Sequence, residues 1–173
     1  MNIRTANPED AQSIAKTHVE AWRDAYSGIM PAEFLESISQ DAREKHWVKT
    51  LSRDGEGHYV VIEQDGGVAG FCVYGPPRED LKSKNTGELV ALNIAPKAWG
   101  KGLGASLIQH VIKEGHSLGW DTIYLWVVRE NRRARELYER FGFVLEGGEK
   151  SEALSPSCEL HELRYFLRLN ESG

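Results

Sequence analysis

Three glycines in five residues, Gly100-Lys101-Gly102-Leu103-Gly104, stand between an apolar run and a stretch with apolar residues at helical spacing. The run from Val90 to Ala95 reads as a strand that stops at Pro96, after which Leu103, Leu107, Ile108, Val111 and Ile112 fall on one helix face. Glycines at such a junction let the backbone approach a bulky group. The first amides of the new helix lack internal acceptors and carry partial positive charge. The chemistry this suits is phosphate binding. A helix start with incidental glycines fits the same residues, because motifs this short also occur by chance.

A second block, Asn131-Arg132-Arg133-Ala134-Arg135-Glu136-Leu137-Tyr138-Glu139-Arg140-Phe141-Gly142-Phe143, opens on a capping residue and closes at a glycine. Ala134, Leu137, Tyr138 and Phe141 share one face of it. Leu92-Asn93-Ile94-Ala95-Pro96 with Gly100 to Gly104, followed after one strand by this block, resembles the two cofactor motifs of the GNAT family of N-acetyltransferases over residues 88–143. The resemblance implies an α/β (α+β) fold: a mixed, mostly antiparallel twisted sheet of about seven strands with helices on both faces. It also implies a splay between the central parallel strands, those ending at Ile94 and Val128. It implies acetyl-CoA as co-substrate and transfer to a primary amine of a small molecule, polyamine or peptide by direct attack on the thioester.

In that family the pantetheine arm lies in the splay, so backbone groups at Leu92 and Ile94 would hold it and polarise the thioester carbonyl. Asn93, Trp99, Gly100, Lys101, Gly102, Leu103, Gly104, Ala105, Asn131, Arg133, Ala134 and Tyr138 complete the implied cofactor set. The chain departs from the family pattern at Trp99, where Arg or Gln is usual. The glycine amides are unaffected by this departure, which bears only on a side-chain contact to phosphate from Trp99. Lys101 and Arg133 either reach the phosphates or face solvent, as basic side chains at helix starts commonly do.

Acyl transfer to an amine needs a deprotonated nucleophile and a proton for the departing thiolate. Tyr138 matches the family tyrosine whose hydroxyl sits near the sulfur, which implies a general acid; the other reading is a ring packed in the core. Glu88 stands where related enzymes often carry the acid that removes the amine proton. It shares strand parity with Leu92 and Ile94, so the three face one side unless a β-bulge intervenes. The alternative is a solvated strand-end charge, with the proton passing to water.

These residues need elements to position them. Ile3 marks a first strand, and Asn7-Pro8-Glu9-Asp10 is a helix start, with Asn7 as N-cap and Pro8 in the first turn. Ala11, Ile14, His18, Ala21, Trp22 and Ala25 then recur at helical spacing, which gives His18 a core or interface role. Met30 to Leu35 begins a second helix and Asp41 to Leu51 a third. In the resembled family this region covers the acceptor pocket, so Trp22, Tyr26, Phe34 and Trp47 are pocket candidates, ordinary packing being the alternative. His58 to Glu63 and Val68 to Tyr74 form a hairpin about an Asp65-Gly66 turn. A polar loop over residues 75–85 leads to the strand from Thr86 to Ile94. Thr122 to Val128 is apolar on both faces, as in a strand covered on both sides. A strand starts at Phe143, and a last one from Glu159 to Leu169 pairs back across a loop over residues 147–157.

A chain of 173 residues is one domain's length, and the reading is a single acetyltransferase domain over residues 1–173. At 40% hydrophobic and 27% charged residues its composition is that of a soluble globular protein. Neither a signal peptide nor a spanning segment is present, so no membrane is expected. Cys72 and Cys158 read as buried thiols in a cytoplasmic protein, and no metal site is expected. The net charge of −5 argues against nucleic acid and is compatible with an amine substrate. A homodimer is left open. Two other classes stay in view: a non-catalytic acyl-CoA-binding module of the same fold, and a dinucleotide-binding oxidoreductase. The second lacks the early βαβ unit and a suitably placed ribose-binding acid.

Overall fold

Asn7 begins the first helical segment as its side chain dictates. In the computed structural model, which describes residues 1–79 and 85–169, Asn7 Oδ1 accepts from the Glu9 amide at 3.0 Å. The Asp10 carboxylate accepts from the Asn7 amide at 2.8 Å, closing a capping box around a 3₁₀ turn at Pro8–Asp10. Among the described residues there are seven strands and five helices, and the strands form one sheet in the order β1-β2-β3-β4-β5-β7-β6. The chain gathers into two compact units: residues 1–73 with 91–107, and the described residues of 74–90 with 108–173.

In the first unit, β1 (Asn2–Thr5) runs antiparallel to β2 (His58–Gln64), from Asn2↔Glu63 to Thr5↔Val60. Arg4 spans this pair and the cap, bonding Asp10 through two 2.8 Å contacts and Glu63 through a third. α1 (Ala11–Ala25) buries Ala11, Ile14, Ala15, Val19 and Ala21. α2 (Ala32–Ser37) is held to α1 by Arg23, which donates to the Leu35 and Ile38 carbonyls at 3.1 and 3.2 Å. These are carbonyls that a short helix leaves without internal partners. α3 (Gln40–Leu51) is capped by Ser39, whose hydroxyl accepts from the Ala42 amide at 3.1 Å, and it buries Trp47 against Phe71. β2 turns into β3 (Gly67–Gly75) through Asp65 and Gly66, both at positive φ, as the two-residue turn requires.

β4 (Thr86–Ile94), whose residues up to Val90 belong to the second unit, pairs in parallel with β5 (Thr122–Val128) from Thr86↔Thr122 to Leu89↔Leu125, and Val90 and Trp126 lie beyond that ladder. β5 keeps an antiparallel partner over its whole length in β7 (Cys158–Arg168). Ile123 faces α4 (Leu103–Ser117), where a Cβ on Gly115 would come within 3.2 Å of it and 3.1 Å of Leu169. On β7, Tyr165 and Leu167 meet α5 (Arg132–Arg140) and its end: Arg135 Nε donates to the Tyr165 hydroxyl at 2.9 Å, and Gly142 abuts Leu167. The opposite face of β5 carries Tyr124 and Trp126, whose polar atoms are hydrogen-bonded to carboxylates. Residues on both faces of β5 are buried, as expected of a strand covered on both sides, and the aromatic rings on this face add polar handles.

A correction concerns residues 147–157. They are not a loop: β6 (Val144–Ser155) and β7 form a long antiparallel hairpin with a register shift between Leu145 and Glu149. Gly147, at φ 98°, and Gly148 are absorbed there as an irregularity within the strand. Being the outer strand, β6 is exposed along most of its length and lacks the alternation that marks a half-buried strand.

Candidate active site

The glycine segment forms as its spacing implies. β4 ends at Ile94, Pro96–Ala98 makes a 3₁₀ turn, and Gly100 and Gly102 take the left-handed region at φ 76° and 81°. A Cβ at either would meet no atom within 4 Å, so their lack of a side chain leaves open space beside the backbone. α4 starts at Leu103, which is buried; Gly104 and Ala105 occupy its half-buried first turn. The Ser106 amide donates to the Gly102 carbonyl at 3.1 Å, and amides ahead of it belong to the part of a helix without internal acceptors. Lys101 is exposed.

Trp99 is spoken for. Its indole N–H donates to the Ile94 carbonyl at 2.8 Å, so the side chain ties the loop to the end of β4. Ile94 is buried, while Leu92 and Asn93 are half-buried. The wall candidates of the same unit form an aromatic file: the Trp22 and Tyr26 rings lie 5.1 Å apart, His18 is 5.5 Å from Trp22, and Phe71 is 6.0 Å from His18. Trp47 continues the file at 5.3 Å from Phe71 but is buried as packing, and Phe34 is half-buried on α2.

In the second unit, Asn131 caps α5, its side-chain oxygen accepting from the Ala134 amide at 3.2 Å. Arg133 is exposed at the start of that helix and Ala134 half-buried. Tyr138 is 8% exposed, with its ring 5.8 Å from Phe143.

Glu88 is 0% exposed, so the solvated strand-end charge is ruled out. A carboxylate taken from water needs a charged partner and a full set of donors. Arg78 supplies most of them: its backbone amide and Nε reach Oε1 at 3.1 Å, and Nε and an NH2 group reach Oε2 at 3.2 and 2.7 Å. The Tyr124 hydroxyl donates to Oε1 at 3.2 Å, as their register pairing on β4 and β5 allows. Burial above all, then the Glu88 charge, pushes the Tyr124 hydroxyl well above its ordinary range, so it remains a donor. The bonds to Glu88 raise Arg78 further. Burial also raises Glu162, which feels Lys150, Glu152, Arg78 and Glu88. Beside it Trp126 donates to Glu79, with Lys150 4.4 Å and Arg164 5.3 Å from its ring centroid.

Arg78, Tyr124 and Trp126 were not singled out by spacing. Tyr124 and Trp126 alternate on β5 and had a signal in their polar atoms. Arg78 lies in the polar stretch expected to be a loop over 75–85, where no periodicity applies; residues 80–84 of that stretch lie outside the described ones.

The family model described as the acetyltransferase (GNAT) family matches residues 18–143. The chain is similar to the uncharacterized N-acetyltransferase YuaI of Bacillus subtilis (strain 168), 30% identical over 131 residues that cover 76% of this chain and 73% of that protein. It is 29% identical over 150 residues, 85% of this chain and 90% of the other, to the spermine/spermidine N(1)-acetyltransferase of the same organism. Its fold is similar to that of yncA from Salmonella typhimurium, solved with its cofactor acetyl-CoA, at a TM-score of 0.70 and 20% identity over 100% of this chain and 96% of that one. With a family model matched across more than half its length, the chain belongs to the acetyltransferase (GNAT) family.

Proposed function

We propose that this chain, as a single acetyltransferase domain over residues 1–173, transfers an acetyl group from acetyl-CoA to a primary amine of a small molecule, polyamine or peptide. The observation that carries the reading is the pair of left-handed glycines, Gly100 and Gly102, with open space where side chains would stand, directly before α4. Such a segment fits a pyrophosphate, which the amides from Gly100 to Ala105 would bind with Lys101 and Arg133 as cationic support. Leu92, Asn93 and Ile94 would hold the pantetheine arm, with Leu103, Asn131, Ala134 and Tyr138 completing the contacts. Trp99 serves as a brace for the loop in place of a phosphate ligand, as its bond to Ile94 supports.

When bound, the co-substrate supplies an acyl carbon activated as a thioester. Glu88 takes a proton from the acceptor nitrogen, which bonds to that carbon as the C–S bond breaks. The Tyr138 hydroxyl protonates the leaving sulfur and is reset from solvent. Trp22, Tyr26 and Phe34 line the acceptor side. Similarity to a spermine/spermidine acetyltransferase favours a polyamine among the acceptors, and the free, buried Cys72 and Cys158 favour a cytoplasmic setting.

The test is release of free thiol from acetyl-CoA across amines, amino acids, polyamines and peptides. At least one class should be turned over, and Tyr138→Phe should lower kcat by about 100-fold or more while coenzyme A affinity changes little. Absence of turnover with every class, or full activity of Tyr138→Phe, overturns the reading or the assigned acid respectively.

A further inference from the structure

A carboxylate has two oxygens with about four lone-pair sites between them, and on Glu88 these are taken by Arg78 and Tyr124. A base whose lone pairs are engaged in this way accepts no proton from an acceptor. If Glu88 is the base, as proposed above, the guanidinium has to leave it first. The route is open: the Glu88 side chain is 1% exposed, but that of Arg78 is 57% exposed. The guanidinium thus reaches the carboxylate from the solvent side, while the Arg78 amide and Tyr124 hold it from the backbone and from β5.

We propose that Arg78 occupies, on Glu88, the place of the acceptor's own cationic head, and is thereby a specificity-determining residue that admits amines arriving as cations. The reason is electrostatic. Withdrawing the guanidinium alone would leave a buried carboxylate without its counter-charge, which is strongly unfavourable. The exchange is therefore cation for cation, and a neutral amine has no means of displacing Arg78. The incoming ammonium passes one proton to Glu88, the neutral carboxylic acid then needs no cation, and the nitrogen's second proton leaves for solvent as the nitrogen bonds to the acyl carbon and the C–S bond breaks. The acylated product carries no charge at the reacted nitrogen. As it leaves, Glu88 returns its proton to solvent and the guanidinium closes again. Arg78 itself stays protonated throughout, since a guanidinium does not titrate in a protein. Acceptor binding then pays for the fraction of time that Arg78 sits on Glu88.

The inference rests on Glu88 being the base, so the experiment separates the two. Wild type, Arg78→Ala and the double variant Arg78→Ala/Glu88→Gln are melted with methylammonium chloride or guanidinium chloride at millimolar concentration, against sodium chloride of equal ionic strength. Both ions should raise the melting temperature of Arg78→Ala and leave the other two proteins unmoved. With an acceptor found by the thiol-release screen, Arg78→Ala should show a KM lower by about tenfold. Guanidinium should compete with the acceptor in that variant and leave wild type uninhibited at the same concentration. Should Arg78→Ala fail to fold, Arg78→Lys carries the test, with a smaller fall in KM expected from its single compact charge. An unchanged or raised KM, or an Arg78→Ala protein indifferent to both ions, overturns the proposal. Full kcat in Glu88→Gln overturns the base and this inference together, whereas loss of kcat in Glu88→Gln with no change in Arg78→Ala overturns this inference alone.

Discussion

His18 shows what position on a helix decides about a side chain. Its place on the apolar stripe of α1 argued for packing, and its ring does pack between Trp22 and Phe71, with Nδ1 buried and without a hydrogen-bond partner. Burial first, then Arg43 and His46, lowers its pKa from 6.5 to about 4. The unfolded chain therefore binds a proton that the folded chain refuses between those values. Stability is at its full value above pH 6.5, falls as pH drops toward 4, and loses nothing further from this group below that. By linkage the loss at pH 4.5 is about 2 kcal/mol. Denaturant titrations of wild type and His18→Phe at pH 7 and 4.5 should differ by that amount in their pH dependence; equal slopes would show that His18 accepts its proton in the native state. Glu88 is the opposite case. Nothing near it in sequence revealed that its charge is buried and matched by Arg78.

At the scale of elements, two glycines of neighbouring segments make different demands. Gly102 is at φ 81° with free space around it, so Gly102→Ala should cost about 1 kcal/mol through backbone strain alone. The added methyl group projects into the space assigned to pyrophosphate, so coenzyme A affinity should fall at least about tenfold. Gly87 has an ordinary backbone but lies against the Trp120 ring, into which a Cβ would intrude. Gly87→Ala should therefore cost about 1–3 kcal/mol by overpacking with little change in coenzyme A affinity. Calorimetric titration beside thermal melting distinguishes the two; a Gly102→Ala protein that binds coenzyme A normally removes the loop from the site. Most elements were legible within a residue or two, because caps, turns and apolar periods act over a few positions: Asn7, Ser39 and Asn131 each cap a helix through their own side chain. β6 was not legible. An outer strand with most residues exposed has no buried face to impress a pattern on its sequence, and its partner in β7 supplies the reason it is extended.

For the molecule as a whole, membership of an acetyltransferase family makes coenzyme A binding a stability measurement. Coenzyme A alone, at about 100 times its Kd, should stabilise the native state by about 2.7 kcal/mol. For a chain of this size that is a rise in Tm of roughly 5–10 °C. The shift should be absent with adenine alone, and a Tm indifferent to coenzyme A would dismiss the cofactor assignment. No helix among the described residues is long and apolar enough to cross a membrane.

The order strand, glycine loop, helix, then strand and Asn131-capped helix, was determined along the chain itself, because every feature in it is set by contacts between residues a few positions apart. The surroundings of Glu88 were decided only by folding. Arg78 arrives from ten residues earlier, and Tyr124 from 36 residues later. The parallel register of β4 on β5 brings Tyr124 opposite Glu88, and a buried charge there can persist only if the fold also delivers a cation to it.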